Sequence, residues 1–328
     1  MVAALRSFRT GRLADLIAFD RTEATIAARV ERAGIQRVYE LVIAPGSRRV
    51  RLDGKAVRPL ARYFGEFNVV LFAPEDLEIL RSAPAERRRF LDRAVFNRRG
   101  DFLPLATDYD KAVRSRNALL RAVAHGQKSA RQVEPMLEIY DEQVARLGAD
   151  IVTRRRAYVA ELRPGFQAAF EAITRTGLGV DVAYASPPEV TAAGPDDLAA
   201  VLTRLLVASR GRDFALGATS VGPHRDDVAF SFAAHDAGSF ASQGQLRAMV
   251  LAWKTAELDL LARVHGEAPI LLLDDVSSEL DPTRNRYLFE YLAQRDGQCF
   301  ITTTHPDFVL LREGRADHAV RGGQFLPS

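Results

Sequence analysis

The sequence predicts an α/β fold: a mixed or parallel sheet flanked by helices, with an antiparallel helical arm inserted into it. Three patterns lead there. Residues 242 to 304 read as helix, strand, helix and strand in turn, the rhythm of βα units around a parallel sheet. Residues 23 to 58 alternate polar and apolar positions with a period of two, as antiparallel strands do. From Pro84 to about Gln167, apolar residues instead recur at spacings of three and four, the helical period.

Each element follows from its own residues. Glu23 to Arg32, Arg37 to Gly46 and Arg48 to Val57 are expected as strands, the last bent at an Asp53-Gly54 turn. Asn68 to Phe72 is a short apolar run ending before Pro74, which suits a buried strand. Helices are expected at Arg87–Phe96, Tyr109–Val123, Gln132–Gly148 and Ile151–Leu162, with charged outer faces. Leu178–Ala185 returns to strand, Asp196–Arg210 is helical, and Asp227–Phe232 is strand again. Ser242-Gln243-Gly244-Gln245 opens the helix Leu246–Val264, with Ser242 as N-cap and Gln245 at the capping-box spacing. Ile270 to Leu273 forms a doubly buried strand ending in Asp274 and Asp275. Asp281-Pro282 caps and starts the next helix, and Gln298–Thr304 is a strand closed by His305 and Pro306. This divides the chain into 1–83 and 176–328, two parts of one head, and 84–175, the helical arm.

Composition sets the outer bounds. Hydrophobic residues make up 47% and charged residues 27% of 328, the balance of a folded globular protein. No apolar run approaches the roughly 18 residues of a membrane helix. The single cysteine, Cys299, excludes an internal disulfide and a cysteine-based zinc cluster, and it fits a reducing, cytoplasmic setting. Net charge is only +3, so any nucleic-acid partner must be argued from local arginine clusters. Arg87, Arg88, Arg89 and Arg93 form the best cluster, with salt bridges to Glu86 and Asp92 as the competing use. Arg154, Arg155 and Arg156 form a weaker one. No nucleophile–base pair or dinucleotide fingerprint is present, which argues against a metabolic enzyme.

The chemistry concentrates at strand ends. In an open parallel sheet, ligands bind outside the carboxyl ends of the strands, where Asp274, Asp275 and His305 are placed. Four aliphatic residues followed by two acids suit a nucleotide hydrolase. The first acid orients Mg²⁺, commonly through water, and the second accepts a proton from attacking water. A helix N-terminus with a serine and a close-approach glycine is an anion site. Taken singly, Ser242 also reads as an ordinary cap and His305 as an ordinary strand-end histidine.

In order, these segments resemble the C-terminal half of an ABC-type ATPase head: signature (Ser242 to Gln245), Walker B (Ile270 to Asp275), D-loop (Ser278 to Asp281) and switch histidine (His305). Four further segments are similar to the RecF recombination and repair family, and the likeness covers essentially the whole chain. They are Phe72-Ala-Pro-Glu-Asp-Leu77, Pro84-Ala-Glu-Arg-Arg-Arg-Phe-Leu-Asp92, Arg114-Ser-Arg-Asn-Ala-Leu-Leu120 and Gly222-Pro-His-Arg-Asp-Asp227. Leu246 departs from the family's usual Gln before Arg247.

The resemblance implies an ATP-dependent homodimer that binds gapped DNA or single/double-strand junctions and helps mediator proteins load recombinase. Ser242, Gln243, Gly244 and Gln245 would face the γ-phosphate in trans. Asp274 would position Mg²⁺, Asp275 would act as general base, and His305 would sense the phosphate. Ser278 and Asp281 would lie on the dimer seam, and Glu75 and Asp76 would approach nucleotide or metal. A related SMC-type ATPase and a non-hydrolysing DNA-binding or scaffold remnant are the alternatives.

One family motif has no match in the 328 residues: the phosphate-binding loop G-x-x-x-x-G-K-[ST]. The single Gly-Lys pair, Gly54-Lys55, is followed by Ala56 and has Arg49 where the first glycine would stand. Ser7 to Thr10 resembles the segment after the loop's helix, so the expectation is a start placed downstream of the family's, or a truncated form. Losing three charge-assisted phosphate bonds would cost about 5 kcal/mol, more than three decades in affinity. The chain as written is therefore expected neither to bind ATP usefully, nor to hydrolyse it on its own, nor to fold robustly.

Overall fold

A computed structural model describes the chain except residues 1, 4, 6, 8, 9, 11, 33, 58–62, 64–67, 327 and 328, together with the side chains of 277 and 278. Four strands, β1 (Ala24–Arg32), β2 (Ile35–Ala44), β3 (Ser47–Leu52) and β4 (Lys55–Ala56), form an antiparallel sheet in that order. Asp53 and Gly54 both take positive φ, 51° and 76°, as a two-residue hairpin turn requires. Tyr39, Leu41, Ile43 and Val50 point inward and form a small core of their own with Leu5 and Tyr63.

The parallel sheet holds three strands in the order β10–β9–β5, where β5 is Val69–Phe72, β9 Ile270–Asp274 and β10 Cys299–Thr302. Phe72 pairs with Leu273, and Thr302 with Asp274, so all three strands end along one edge. A third, antiparallel sheet joins β6 (Val180–Ala185), β7 (Asp227–Phe232) and β8 (His235–Asp236). A two-stranded ribbon, β11 (Val320–Arg321) and β12 (Gln324–Phe325), closes the described chain.

The helices are α1 (Pro84–Arg98), α2 (Phe102–Ala124), α3 (Ala130–Thr174), α4 (Pro188–Ala192), α5 (Leu198–Ala208), α6 (Arg210–Leu216), α7 (Ala237–Phe240), α8 (Gln243–His265), α9 (Val276–Glu279) and α10 (Pro282–Ala293). Two expected helices, Gln132–Gly148 and Ile151–Leu162, are one: α3 runs unbroken for 45 residues. Gly148 does not break it. A Cβ there would stand 3.2 Å from Pro223, 3.3 Å from Tyr109 and 3.4 Å from Leu202, so the glycine permits close packing.

The inserted helical arm packs onto the core of the head. Along α3, Val152, Tyr158, Leu162 and Phe166 belong to the same buried cluster as Trp253 of α8 and Phe230 of β7. The Cβ of Ala256 lies 3.4 Å from where Gly165 would carry one, which brings α3 and α8 together. Helix α8 is buried on all sides from Ala248 to Glu257, as a helix through the middle of a core must be. Ser242 to Gln245 begin this helix, so its buried length anchors their exposed turn to the core.

Candidate functional site

Three loops meet the carboxyl edge of the parallel sheet. Asp274 ends β9 and accepts a hydrogen bond from Thr302 Oγ1 of β10 at 2.7 Å. Asp275 follows in left-handed conformation, φ 52° and ψ 24°, and its N–H donates to the Thr302 carbonyl at 3.0 Å. A non-glycine residue there stores on the order of 1 kcal/mol of strain, which turns the second carboxylate out of the strand direction. His305 lies three residues beyond Thr302, exposed, its ring edge-on to Phe308 at 5.5 Å. The acids and the histidine thus share one rim, as the strand pattern requires.

Ser242 caps α8 as expected. Its Oγ accepts from the Gln245 N–H at 3.3 Å, and Gln245 Oε1 accepts from the Ser242 N–H at 2.8 Å. The serine hydroxyl keeps its own proton to give, and Ser242 and Gln243 are exposed. Gly244 lies against Arg284: a Cβ there would sit 3.3 Å from two guanidinium nitrogens. Asp281 caps α10 by accepting from the N–H groups of Thr283 and Arg284 (3.0 and 3.2 Å) and also pairs with the Arg284 guanidinium. Arg247 reaches from α8 to the Glu279 carbonyl and, at 3.1 Å, to its carboxylate. Burial and the nearby charge of Arg247 lower the pKa of Arg284. The helix N-terminus and the 279–284 segment are therefore tied within one chain. The side chain of Ser278 lies outside the described residues.

Sequence reasoning missed Thr302, Arg247 and Arg284. Thr302 could have been found by counting back from His305 to the strand end, and Arg284 as the first-turn residue of the helix that Asp281 caps. Arg247 carried no signal, since its partner Glu279 is distant in sequence.

Several expected positions differ. Asp76 does not face a nucleotide or metal: it is 3% exposed and pairs with Arg93 at 2.7 Å and Lys254 at 3.3 Å. Burial acts to raise its pKa, but Lys254, Arg93 and the Ala73 N–H outweigh it and hold the carboxyl below its ordinary range. The α1 arginines do not form a free cluster. Arg87 makes two bonds to Asp227, Arg88 donates to the Asp226 carbonyl at 2.7 Å, Arg93 holds Asp76, and Arg89 pairs with Glu86 at 2.6 Å. Of the four, Arg89 has the most exposed ion pair. Asp92 pairs with Arg155 instead, at 2.7 Å. Arg154 pairs with Asp101 at 3.0 Å, and Arg156 donates to the carbonyls of Val190 and Ala193.

Two of those partners, Asp226 and Asp227, belong to residues 222–227, where the sequence suggests only that Arg225 and Asp226 brace the turn. Arg155 also donates to the Pro223 carbonyl at 2.7 Å, and the Tyr184 hydroxyl donates to Asp226 at 2.6 Å. The Tyr109 hydroxyl meets His224 Nδ1 at 2.6 Å, and His224 Nε2 meets the Thr219 carbonyl at 3.1 Å. A carbonyl can only accept, so Nε2 carries the proton and Nδ1 accepts from Tyr109. Burial pushes the His224 pKa down to about 4.

Comparison with known proteins fits this geometry. The DNA replication and repair protein RecF of Myxococcus xanthus (strain DK1622) is 44% identical over 334 residues, covering 98% of this chain and 85% of that protein. RecF of Geobacter sulfurreducens is 38% identical over 319 residues, covering 97% and 85%. The chain belongs to the RecF family. No protein-family model matches it. A solved structure of the recombination mediator protein RecF-ATPrS in the RecFOR pathway superposes with a TM-score of 0.88 at 28% identity, covering 99% of this chain and 85% of that one. The corresponding RecF-ATP structure gives 0.83 at 29% identity, covering 93% and 81%. The expected α/β head, with parallel and antiparallel sheets and helices, is the RecF fold.

Proposed function

We propose that the chain acts in recombinational repair as a DNA-binding protein whose dimerisation is controlled by ATP and Mg²⁺. One observation carries the reading: Asp274, Asp275 and His305 share the edge of a parallel sheet in a member of the RecF family. Support for ATP comes from the solved RecF-ATP and RecF-ATPrS relatives. The donors suit the metal as well. Among the described residues no group of three His, Cys, Asp or Glu gathers, which suits Mg²⁺ held by Asp274 beside a phosphate, since that ion keeps several waters of its own.

Bound ATP would supply the γ-phosphate and, with Mg²⁺, the charge around which the site closes. Asp274, oriented by the Thr302 hydroxyl, would hold the metal through water. Asp275, which follows the strand in left-handed backbone conformation, would take a proton from the attacking water. His305 would hydrogen-bond the phosphate. Ser242, with its proton still to give, and the N–H groups at the start of α8 would face the phosphates held by a second copy. Asp281 and Ser278 would stand at the seam between copies. The 328 residues contain no G-x-x-x-x-G-K-[ST], so what they bring to the nucleotide is this signature, acid and histidine side. That observation favours a second reading, in which DNA binding proceeds without nucleotide. No described helix is long and apolar enough to cross a membrane. A cytoplasmic location and mediator-protein partners in recombinase loading complete the proposal.

Titrating ATP and Mg²⁺ into the 328-residue chain by calorimetry, with mass measured by light scattering, tests it. The first reading expects a dimer that forms only at the high ATP and Mg²⁺ concentrations that a site without the phosphate loop requires, and Asp275→Asn should keep that dimer while lowering any turnover by 10²–10⁴-fold, as expected for a lost general base (~3–5 kcal/mol). No nucleotide binding with DNA binding intact would select the second. Unchanged turnover in Asp275→Asn would remove Asp275 from the role.

A further inference from the structure

The exposed face of α2 departs from the charge balance of the rest of the chain. The whole sequence holds 45 Lys and Arg against 42 Asp and Glu. Yet residues 111 to 133 include Lys111, Arg114, Arg116, Arg121, Lys128 and Arg131 and no carboxylate. Arg116 alone is buried, neutralised by Asp141 at 2.6 Å and Asp213 at 2.7 Å. The other five are exposed, and apart from Lys111, which pairs with Asp108 at 2.9 Å, none forms an ion pair with a described residue. Lys111, Arg114, Ala118, Arg121 and His125 follow one another at spacings of three and four, so they share one helix face.

A second element brings a further arginine to this face and stiffens it. Arg225 is exposed, and its guanidinium donates twice to the Thr219 carbonyl, at 3.0 and 3.1 Å, a neutral acceptor that leaves its charge unpaired. Thr219 is itself held on α2, where its N–H and hydroxyl donate to Asn117 Oδ1 at 2.7 and 2.6 Å. Asn117 lies between Arg114 and Arg121 in sequence, less than a turn and about a turn away. The Arg121 stem passes 3.1 Å from where a Cβ of Gly217 would be, so the 217–225 loop lies along it. Ala118, small and exposed, leaves room between the cations.

We propose that this face, centred on Arg114, Arg121 and Arg225, contacts the phosphate backbone of DNA. The chemistry suits it. Guanidinium groups bind phosphate oxygens in pairs. Arg114 and Arg121 are about 10 Å apart along the helix axis, roughly three phosphate steps of one strand at 3.4 Å of duplex axis each. The inference rests on the DNA-binding reading above. It places that contact on α2 rather than on α1, whose arginines are occupied by Asp227, Asp76 and Glu86.

Binding of a fluorescein-labelled gapped duplex, measured by anisotropy across a salt series, tests it with the full chain. The variant Arg114→Ala/Arg121→Ala/Arg225→Ala should bind about 10-fold or more weakly, with the slope of log K against log salt reduced by roughly 2–3. A control that removes two exposed arginines elsewhere, Arg263→Ala/Arg286→Ala, should keep both values, and unchanged melting of the triple variant shows that it folds. An unaltered slope and affinity in a folded triple variant overturn the inference. So does loss of binding to poly-glutamate with DNA binding intact, which would assign the face to an acidic protein partner. If the unsubstituted chain shows no salt-dependent DNA binding, the DNA-binding reading falls and takes this location with it.

Discussion

The 222–227 loop and the rim formed by 274, 275 and 305 are both dense in ionisable residues, but they spend them differently. In the loop, His224, Asp226 and Asp227 bond to Tyr109, Tyr184 and Arg87, and Arg155 binds Asp92 and the Pro223 carbonyl. Those groups are satisfied inside the fold and have little left for a ligand, whereas Arg225 of the same loop is exposed and bonds a neutral carbonyl. At the rim His305 is exposed and Asp275 adopts a strained backbone, and at the start of α8 Ser242 keeps a hydroxyl proton. The contrast teaches that a polar motif marks a ligand site only where its bonding capacity is not used up by its neighbours.

Substitutions can break this contrast. The largest effect is expected for Arg155→Ala, which leaves Asp92 and the Pro223 carbonyl without their partner. It should cost about 3–5 kcal/mol in urea unfolding, and a loss under ~1 kcal/mol would show that the loop needs no such support. Gly222→Ala should follow at roughly 2–3 kcal/mol. Its φ is +125°, and its Cβ would stand 2.5 Å from the Tyr109 hydroxyl.

Acid should loosen the loop next. The folded pKa of His224 is depressed to about 4 from 6.5, so between these values the unfolded chain takes up a proton that the folded one refuses. Stability from this group is present above pH 6.5 and is lost as pH falls toward 4, by up to about 1.4 kcal/mol per pH unit. Asp226, whose pKa burial raises, works in the opposite sense over its own titration. Comparing melting curves of His224→Gln and the unsubstituted chain isolates the histidine: the difference should shrink through that window. The smallest effect belongs to the rim. Asp275→Gly releases the left-handed strain and should shift stability by no more than about 1 kcal/mol, in the stabilising direction, while removing the carboxylate proposed as proton acceptor. Destabilisation by several kcal/mol would make Asp275 a structural residue like those of the loop.

Much of this was legible in sequence because it is local. The period-two pattern of 24–52, the Asp53-Gly54 turn, the Ser242 capping box and the Asp281-Pro282 helix start are each decided by neighbours a few residues apart. Gly148 misled for the opposite reason: whether a glycine ends a helix or admits a neighbour depends on Pro223, Tyr109 and Leu202, which are distant in sequence. The same holds for the arginines of α1, whose partners Asp227 and Asp226 lie more than a hundred residues away.

By itself, then, the sequence determined the α/β class, the rim acids with their histidine, and the capped helix, because short-range hydrogen bonding and periodicity specify those. Tertiary structure alone decided which charges are spent and which remain. It neutralised Arg87, Arg93, Asp76 and Arg116, and left Arg114, Arg121 and Arg225 facing outward. The physical reason is that a charge is cancelled by whatever the fold brings within a few ångströms of it, and no spacing along the chain records that.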